Sequence, residues 1–311
     1  MRKRILVVSS ANMDFVMNID RIPEAGETVI DSGACEYIPG GKGANAAIAL
    51  SRLGADCTFC TRIGADMNGE RLAKLYASSG IDTSYIGVDR ECATGVASIM
   101  IDREGQNRII VFPGANECIP SSDIVASFDS KPDALFMQFE IPYHSVITAA
   151  NEAEARGIPI FIDAGPANAH MKLDELPPLE VFSPNETETE IFTGIKPLGT
   201  DNCLRAAFEL AKTVTAKYYV IKLGSRGAFI YDGKFSRVVP AYTMRAVDTT
   251  AAGDVFTSAL TLEYLRNGRD IYAACKYANA AAGISVTRMG ASSSIPTESE
   301  VRDFMQKHPL Y

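Results

Sequence analysis

The segment Asp248–Asp254 has the composition of an anion-binding turn at the start of a helix. It reads Asp-Thr-Thr-Ala-Ala-Gly-Asp and precedes Val255–Leu260, a stretch with apolar residues on one face. Small residues at a helix N-terminus leave backbone N–H groups open to a ligand, with the positive end of the helix dipole behind them. Such a turn suits a phosphoryl group in transfer, and the Asp254 carboxylate could accept the proton of an attacking hydroxyl. Asp254 also suits a helix cap, and this motif alone leaves both interpretations open.

A second glycine-rich turn, Gly40–Asn45, also opens a predicted helix. Its sequence, Gly-Gly-Lys-Gly-Ala-Asn, exposes N–H groups that hydroxyl or phosphate oxygens could approach. It is not a P-loop, because Gly43 stands where that motif requires Ser or Thr. A dinucleotide fingerprint would follow the first strand directly, whereas Ile5–Val8 lies far upstream. A close-packed turn without a ligand remains the alternative.

Two shorter segments follow predicted strands. Leu223–Gly227 is a flexible turn at the sheet edge where α/β proteins bind ligands. Pro184–Glu188 offers an amide and a carboxylate, which are suitable partners for a phosphate group with Mg²⁺. Taken alone, each segment is better described as an ordinary loop or cap.

The elements that must position these motifs alternate between strands and helices. This order predicts an α/β fold with a central, mostly parallel sheet flanked by helices. The predicted strands are Ile5–Val8, Cys57–Ile63, Ala134–Gln138, Ile158–Asp163, Val181–Ser183, Tyr218–Ile221 and Ala228–Tyr231. The predicted helices are Ala44–Leu53, Gly69–Ser79, Ser145–Arg156, Glu186–Gly194, Asp201–Lys212, Gly253–Leu265, Ile271–Thr287 and Glu298–Lys307.

Two regions depart from this alternation and predict a small separate sheet. They contain strand patterns around the turn signals Pro23–Gly26 and Glu104–Asn107, with no helix between them. A small sheet attached to an α/β core is a natural cover for a cleft. The four predicted strands are Phe15–Ile19, Thr28–Ile38, Val96–Ile101 and Arg108–Phe112.

The composition excludes several classes of protein. The chain has 311 residues, with 30 Lys+Arg against 38 Asp+Glu, a net charge of −8 and 47% hydrophobic residues. An acidic chain without a basic stripe is a poor nucleic-acid binder, and this apolar content excludes disorder. The basic start, Met1–Arg4, is followed by an apolar run too short for a secretory signal, and no run of ~18 apolar residues suggests a membrane span. We therefore expect a cytoplasmic protein with neither nucleic acid nor membrane as a partner.

The cysteine pattern predicts neither a disulfide framework nor a metal site. The chain has seven cysteines, an odd number, and its three histidines match no catalytic or metal-binding motif. Cys57 and Cys60 have metal-ligand spacing, but no second pair completes a site. Both lie in a predicted strand, where positions three apart point to opposite faces. The cysteines are therefore expected to be buried or idle thiols.

In this order, the motifs resemble the signatures of the ribokinase/phosphofructokinase-B family of carbohydrate kinases, and most closely its ribokinase branch. The segments that match are Asn12–Asp14, Gly41–Asn45, Asn185-x-x-Glu188 and Asp248–Asp254, and the resemblance covers nearly the whole chain. It implies one ribokinase-like α/β domain over residues 1–311, with a lid formed by about 14–38 and 96–112. It also implies a homodimer in which the two lids clasp each other.

The resemblance assigns a role to each site residue. Asp254 would be the catalytic base, and Ala251, Ala252 and Gly253 would form the anion hole. The sugar would be held by Asn12, Asp14, Gly41, Lys42, Gly43, Ala44, Asn45, Glu140 and Asp254. ATP would be bound by Asn185, Lys222, Gly224, Ser225, Gly227, Gly253 and Asn279.

Two metal cofactors are implied in the same way. Mg²⁺ would accompany ATP, with Glu188 as an indirect ligand, and a monovalent cation, usually K⁺, would lie beside the anion hole. The matching positions for K⁺ are Asp248, Thr250, Ser285, Arg288, Gly290 and Ser294, many of them through backbone carbonyls. Ser292–Ser294 departs from the usual sequence of this loop, where many relatives carry Gln and Pro before the serine.

The implied activity is ATP-dependent phosphorylation of D-ribose at the 5-hydroxyl. Lys42 disfavours fructokinases and ketodeoxygluconate kinases, which usually lack this lysine, and the Glu140 carboxylate would repel a phosphosugar. Three alternatives stay open: a sibling kinase for another pentose, a hexose or a nucleoside; a sugar-binding regulator without catalysis; and a nicotinamide dehydrogenase, which the topology disfavours.

Overall fold

The computed structural model describes residues 2–104 and 106–309. Its strands, in chain order, are β1 (Arg4–Val8), β2 (Asn12–Asn18), β3 (Cys35–Gly40), β4 (Asp56–Gly64), β5 (Ile86–Asp89), β6 (Gly95–Ile101), β7 (Asn107–Phe112), β8 (Ala134–Met137), β9 (Ile160–Asp163), β10 (Leu179–Ser183), β11 (Ala216–Lys222), β12 (Ala228–Tyr231) and β13 (Ser236–Val239). Its α-helices are α1 (Lys42–Arg52), α2 (Met67–Ser78), α3 (Ser121–Ser127), α4 (Tyr143–Ala155), α5 (Glu186–Thr193), α6 (Thr200–Thr213), α7 (Ala252–Arg266), α8 (Ile271–Ser285) and α9 (Glu298–Lys307).

The larger sheet has nine strands in the order β13-β12-β11-β10-β9-β8-β1-β4-β5. The strands from β11 to β5 pair in parallel, whereas β12 and β13 pair antiparallel at one edge. Every residue of β8 and β9 is buried, as expected for strands covered by helices on both faces. The prediction of a mostly parallel sheet flanked by helices is confirmed.

Two apolar clusters, one on each face of this sheet, form the core. Helices α1, α7 and α8 contribute to the first cluster, which contains Phe59 and Phe161. Helices α4 and α6 contribute to the second cluster, which contains Leu135 and Met137. Within α1, the residues from Gly43 to Leu50 are all buried. Their small side chains let α1 pack closely on α7, and the Ser258 hydroxyl of α7 donates to the Ala46 carbonyl of α1.

The smaller sheet has four strands in the order β3-β2-β6-β7. Strand β7 is an edge strand, and all its residues are exposed, including Ile109–Phe112. The prediction of a strand over Thr28–Ile38 is wrong for residues 28–34, which have no strand structure; the strand begins at Cys35. In the predicted turn Glu104–Asn107, Gly105 lies outside the described residues.

Most predicted elements are present, with ends shifted by a few residues. The prediction missed β5, β13 and α3, which are short and partly exposed. Cys57 and Cys60 belong to different core clusters, so their side chains point to opposite faces as predicted. In the described part of the chain, no helix combines the length and hydropathy that a membrane crossing requires.

Candidate active site

The carboxyl ends of adjacent parallel strands carry most of the candidate site. Ser9 follows β1, Gln138 follows β8, Asp163 ends β9, Asn185 follows β10 and Lys222 ends β11. These five strands are consecutive neighbours in the sheet. Ligands of open α/β sheets bind at this edge, and the topology therefore brings together side chains that are far apart in the sequence.

Asp254 lies at the floor of the cleft, in the first turn of α7. It is 4% exposed, and its Oδ2 accepts a hydrogen bond of 3.0 Å from the Asn45 side-chain amide in α1. Burial raises the pKa of the Asp254 carboxyl, while the Lys42 ammonium acts in the opposite direction. A carboxylate in such surroundings is a stronger base than an exposed aspartate.

A second amide holds the other oxygen of this carboxylate. Gln138 Nε2 donates to Asp254 Oδ1 at 3.2 Å, and Gln138 Oε1 accepts from the Ser9 hydroxyl at 2.9 Å. Because Ser9 fixes the direction of the amide, its N–H group points to Asp254. Sequence analysis assigned no role to Gln138 or Ser9; their place after neighbouring buried strands is the signal that could have found them.

Two lysines balance the acidic groups of the cleft. Attraction to Asp254 raises the pKa of Lys42, and Asp163, Glu140 and Glu188 add to that effect. The Lys222 ammonium is buried and forms an ion pair with Asp163. Asp163 was predicted only as the end of a strand, and its role as the counterion of Lys222 was missed.

Polar groups from four segments form a second part of the cleft. Glu140 Oε2 accepts from the Ser10 hydroxyl at 2.5 Å and from the Lys42 backbone N–H at 2.9 Å. Burial raises the pKa of Asp14 to about 7, and the negative charge of the neighbouring Glu140 adds to this effect. Asp14 Oδ1 and Asn45 Oδ1 are buried without a hydrogen-bond partner in the described residues. Orphaned buried oxygens of this kind are suited to accept hydrogen bonds from the hydroxyls of a ligand.

The backbone at Gly40 and Gly41 makes room for these groups. A Cβ atom at Gly40 would collide with the Asp14 carboxylate, and one at Gly41 would lie 2.8 Å from the Asn12 backbone N. Gly41 also has a φ of +89°, which favours glycine. The glycines therefore let the turn approach β2 closely.

Three predicted sugar contacts are already engaged within the protein. Asn12 is 1% exposed, and its Oδ1 accepts from Asn116 Nδ2 at 2.8 Å. The Gly43 and Ala44 backbone N–H groups donate to the hydroxyl and the carbonyl of Ser10, respectively. Asn116 also accepts from the Ala11 backbone N–H, which ties the start of β2 to the turn after β7. No sequence motif pointed to Asn116.

A cavity of about 350 Å³ lies on the other side of Asp254. Its walls include the predicted nucleotide residues Lys222, Gly224, Ser225, Gly227, Gly253 and Asn279. A smaller hollow of about 300 Å³, lined by Asn185, Lys222 and Gly253, adjoins it. Asn279 Nδ2 donates to the Val239 and Pro240 carbonyls, which fixes the loop after β13 along the cavity. The structure therefore places six of the seven predicted nucleotide residues around the larger cavity and Asn185 in the adjoining hollow.

The predicted anion hole lies where the two parts of the cleft meet. Ala251 has a φ of +60°, a left-handed conformation that is unfavourable for alanine, and α7 begins at the next residue. The Ala252 N–H donates to the Thr249 carbonyl at 3.2 Å. At Gly253, a Cβ atom would lie 3.6 Å from Lys222 Nζ, so the turn and the lysine face the same space.

Asn185 and Glu188 form a capping box at the start of α5. The Asn185 backbone N–H donates to Glu188 Oε2 at 2.7 Å, and the Glu188 N–H donates to Asn185 Oδ1 at 2.8 Å. The motif therefore forms a helix cap, one of the two interpretations that the sequence allowed. Glu188 Oε1 lies against Gly165, where a Cβ atom would collide with it. The negative charge of Glu188 is one of those that raise the pKa of Lys42.

The predicted cation loop is built from two segments that meet beside the anion hole. Asp248 Oδ1 accepts from Thr250, and Asp248 Oδ2 accepts from the Gly290 N–H at 2.8 Å. Burial raises the pKa of Asp248, but hydrogen bonds from Thr250 and Gly290 lower it by more, so this pKa lies below its usual value. The Arg288 N–H donates to the Ser285 carbonyl, the Ser294 hydroxyl donates to Ala291, and the Arg288 side chain pairs with Glu300.

A two-part cleft with a buried carboxylate at a helix start, next to a nucleotide-sized cavity, defines a phosphotransferase site on an α/β sheet. The model of the pfkB family of carbohydrate kinases matches residues 2–298, and the chain belongs to this family. It is an ATP-dependent carbohydrate kinase of the ribokinase type.

Similar proteins agree with this assignment. The chain is 35% identical to a ribokinase of Haemophilus influenzae over 98% of this chain and 99% of that protein. It is 33% identical to a ribokinase of Staphylococcus aureus over 97% of this chain and 99% of that protein. The structure of Arabidopsis thaliana ribokinase complexed with ribose and ATP superposes with a TM-score of 0.89, at 29% identity, over 98% of this chain and 99% of that one.

Proposed function

We propose that this enzyme transfers the γ-phosphate of ATP to the 5-hydroxyl of D-ribose. The observation that carries the proposal is the position of Asp254. Its carboxylate is held by Asn45 on the side of the orphaned oxygens and lies beside the anion turn that borders the nucleotide-sized cavity. The ribokinase names of similar proteins support ribose as the acceptor.

The sugar would lie over the orphaned oxygens of the cleft. Asp14, Glu140 and Asn45 would accept or exchange hydrogen bonds with its ring hydroxyls, and the Gly41–Lys42 backbone would form the wall of the site. Asn12, Gly43 and Ala44 would act mainly by fixing that wall, because their polar groups are already bonded to Asn116 and Ser10. A pocket that satisfies hydroxyls in this way discriminates against sugars that lack one of them.

The chemistry follows from the groups around Asp254. Its carboxylate accepts the proton of the 5-hydroxyl as that oxygen attacks the γ-phosphate in line with the leaving ADP oxygen. The N–H groups of Ala251 and Gly253 would stabilise the charge that develops on the transferring group. The Ala252 N–H donates to the Thr249 carbonyl and would act by holding the turn, or would join the anion hole once that bond opens. The partly buried Lys42 and the buried Lys222 ammonium groups supply further positive charge, which acts more strongly there than in bulk solvent.

Mg²⁺ fits the acidic edge between β9 and β10. Asp163 and Glu188 are buried oxygen donors there, and Glu188 Oε1 accepts no hydrogen bond in the described residues. Mg²⁺ usually keeps several waters, so contact through water agrees with the indirect role proposed for Glu188. When bound with ATP, the ion would neutralise phosphate charge, while Asn185 and Lys222 hold the phosphates.

K⁺ fits the loop beside the anion turn. Asp248 supplies an ionised carboxylate there, and Thr250, Ser285, Arg288, Gly290 and Ser294 lie on the two segments that it joins. A cation at this position would stabilise the conformation of the segment that leads into Ala251. We therefore include activation by a monovalent cation in the proposal.

The small sheet is proposed to act as a lid within a single domain of this chain. It covers the side of the cleft that holds Asp14, and its strand β7 exposes Ile109–Phe112 to solvent. An unpaired apolar edge strand is suited to pair with another strand. We propose that the lids of two protomers pack together in a homodimer, and that the enzyme works in the cytoplasm.

The test is ATP-to-ADP conversion with Mg²⁺ against a panel of sugars, with and without K⁺. The panel contains D-ribose, 2-deoxyribose, fructose, ketodeoxygluconate, fructose 1-phosphate and nucleosides; 2-deoxyribose is included because a deoxyribokinase of Salmonella typhi is 30% identical. A preference for D-ribose that increases with K⁺ supports the proposal. Faster turnover of another acceptor would identify the enzyme as a related kinase with that acceptor as its substrate. Ribose binding without turnover would instead indicate a regulator.

A further inference from the structure

Cys92 and Cys118 bring their thiols together at the base of the small sheet. Their Sγ atoms lie 2.9 Å apart, and both residues are partly exposed. Cys92 precedes β6 and Cys118 ends the short turn after β7. The other five cysteines make no sulfur–sulfur contact in the part of the chain that the structure describes.

Hydrogen bonds hold the two segments that carry the thiols next to each other. Asp89 Oδ1 accepts from the Cys92 N–H at 2.8 Å, and the Ala115 N–H donates to the Ala93 carbonyl at 2.8 Å. Asp89 could complete a set of three metal ligands with the two thiols. Its Oδ2, however, already accepts from the Arg62 guanidinium at 2.8 Å. The Arg62 guanidinium and the occupied Asp89 carboxylate disfavour metal binding at this place. The pair of thiols is therefore the reactive feature.

We propose that Cys92 and Cys118 form a reversible disulfide when they meet a low-molecular-weight disulfide such as oxidised glutathione. One thiolate attacks the glutathione disulfide and releases one glutathione thiol; the second cysteine attacks the mixed disulfide and releases the other. The protein loses two protons and two electrons, and one glutathione disulfide becomes two thiols. Disulfides in cytosolic proteins of mesophiles are usually transient and redox-sensing rather than structural.

The bond would act on the lid because it joins the segments that enter and leave the β6–β7 hairpin. Cys118 follows Asn116 by two residues, and Asn116 holds Asn12 and Ala11 at the start of β2. A crosslink at this base restricts the movement of the hairpin relative to the sugar side of the cleft. This consequence rests on the proposed function, whereas formation of the bond does not.

The bond is tested on the full-length protein in buffer with EDTA, with oxidised glutathione added before alkylation under denaturing conditions. Trypsin cleaves after Arg103 and Arg108, between the two cysteines, so the disulfide would join two separate peptides. We expect this linked pair in the parent and in Cys35→Ser, which removes an exposed thiol as a matched control. Cys92→Ser and Cys118→Ser should lack it. Full alkylation of all seven cysteines, or glutathione on one cysteine without the internal bond, would overturn the proposal.

Its effect on the lid is measured in two ways. Cleavage of the native protein at Arg103 and Arg108 should slow severalfold after oxidation, and this assay needs no substrate. Turnover of ribose should fall severalfold and recover with dithiothreitol in the parent and in Cys35→Ser, but not change in Cys92→Ser. Unchanged proteolysis with the bond fully formed would overturn the role in the lid. Slower proteolysis without ribose turnover would support this inference and count against the proposed substrate.

Discussion

The Asp254 carboxylate and the Asn45 amide share a hydrogen bond of 3.0 Å, although 209 positions separate them in the sequence. One residue belongs to the first turn of α7 and the other to α1. Their contact joins the two glycine-rich motifs into one floor, with the orphaned oxygens on one side and the large cavity on the other. The site therefore exists only when both ends of the chain are folded together.

Asp254→Asn tests the base directly. The variant keeps the shape of the side chain but cannot accept the proton, so we expect kcat to fall by about 10²–10⁴-fold. The affinity for ribose should change little. Because the chain contains no Trp, binding is measured by calorimetry rather than by Trp fluorescence. Glu263→Gln, in the same helix and also buried, is the matched control and should leave kcat near that of the parent. Substantial activity in Asp254→Asn would contradict the assignment.

Gln138→Met tests the second hydrogen bond to the base. Loss of the donated N–H group removes stabilisation of the ionised Asp254, so its pKa should rise further. We expect the acidic limb of the kcat/KM profile to move to higher pH, with a lower maximum. Ser9→Ala, which frees the amide without removing it, should produce a smaller shift in the same direction. An unchanged pH profile in Gln138→Met would show that the amide has only a packing role.

Asp14→Asn should alter how stability depends on pH in the absence of ligands. Burial raises the pKa of Asp14 from 3.8 to about 7, so between these values the folded protein keeps a proton that the unfolded chain has lost. The free energy of unfolding therefore decreases as the pH rises through this interval. The variant should lose part of this decrease in thermal unfolding measured across the interval. The exposed Asp129→Asn control should retain the parental slope.

Gly40→Ala should weaken sugar binding without affecting the nucleotide side. The new Cβ atom would displace the Asp14 carboxylate from its position in the cleft. We expect KM for ribose to increase more than tenfold and KM for ATP to stay within about twofold, since binding energy is lost on one substrate only. Gly199→Ala is the matched control, because a Cβ atom there meets no other atom within 4 Å. Equal changes in both KM values would contradict this separation.

Ile110→Asp should test the proposed homodimer. It places a charge in the exposed apolar edge of β7, which would be buried between two lids. We expect the mass measured by light scattering to fall from that of a dimer to that of a monomer. Ile191→Asp, at an exposed position in α5, should not change it. A parent protein that is already monomeric would rule out the lid interface.

Local motifs in the sequence predicted part of the candidate site, and the roles assigned to their residues stay predictions. Gly40–Asn45 and Asp248–Asp254 each combine small residues with a helix start, and the structure brings both to the floor of the cleft. Gln138, Asp163 and Asn116 were not found, because their partners are 116, 59 and 104 positions away. Nothing local marks a residue whose role is set by the order of strands in a sheet.

The erroneous strand over residues 28–34 has a similar cause. Its residues alternate enough to suggest a strand, but a strand also requires a neighbour to pair with. In the structure, β2 ends at Asn18 and its last pair with β3 joins Met17 to Cys35, so the residues before Ala34 have no strand opposite them. Pairing partners are a property of the tertiary structure that the pattern of one segment does not contain.

The close packing of α1 also constrains how the substrate range of this enzyme could change during evolution. Residues 43–50 are all buried, and α1 packs against the helix that carries Asp254, so a larger side chain there would disturb the base as well as the core. The edge strands of the small sheet, β3 and β7, are much more exposed and can accept substitutions with little loss of packing. New acceptor preferences should therefore arise through mutations in the strands above the cleft, while the helix beneath it stays nearly invariant.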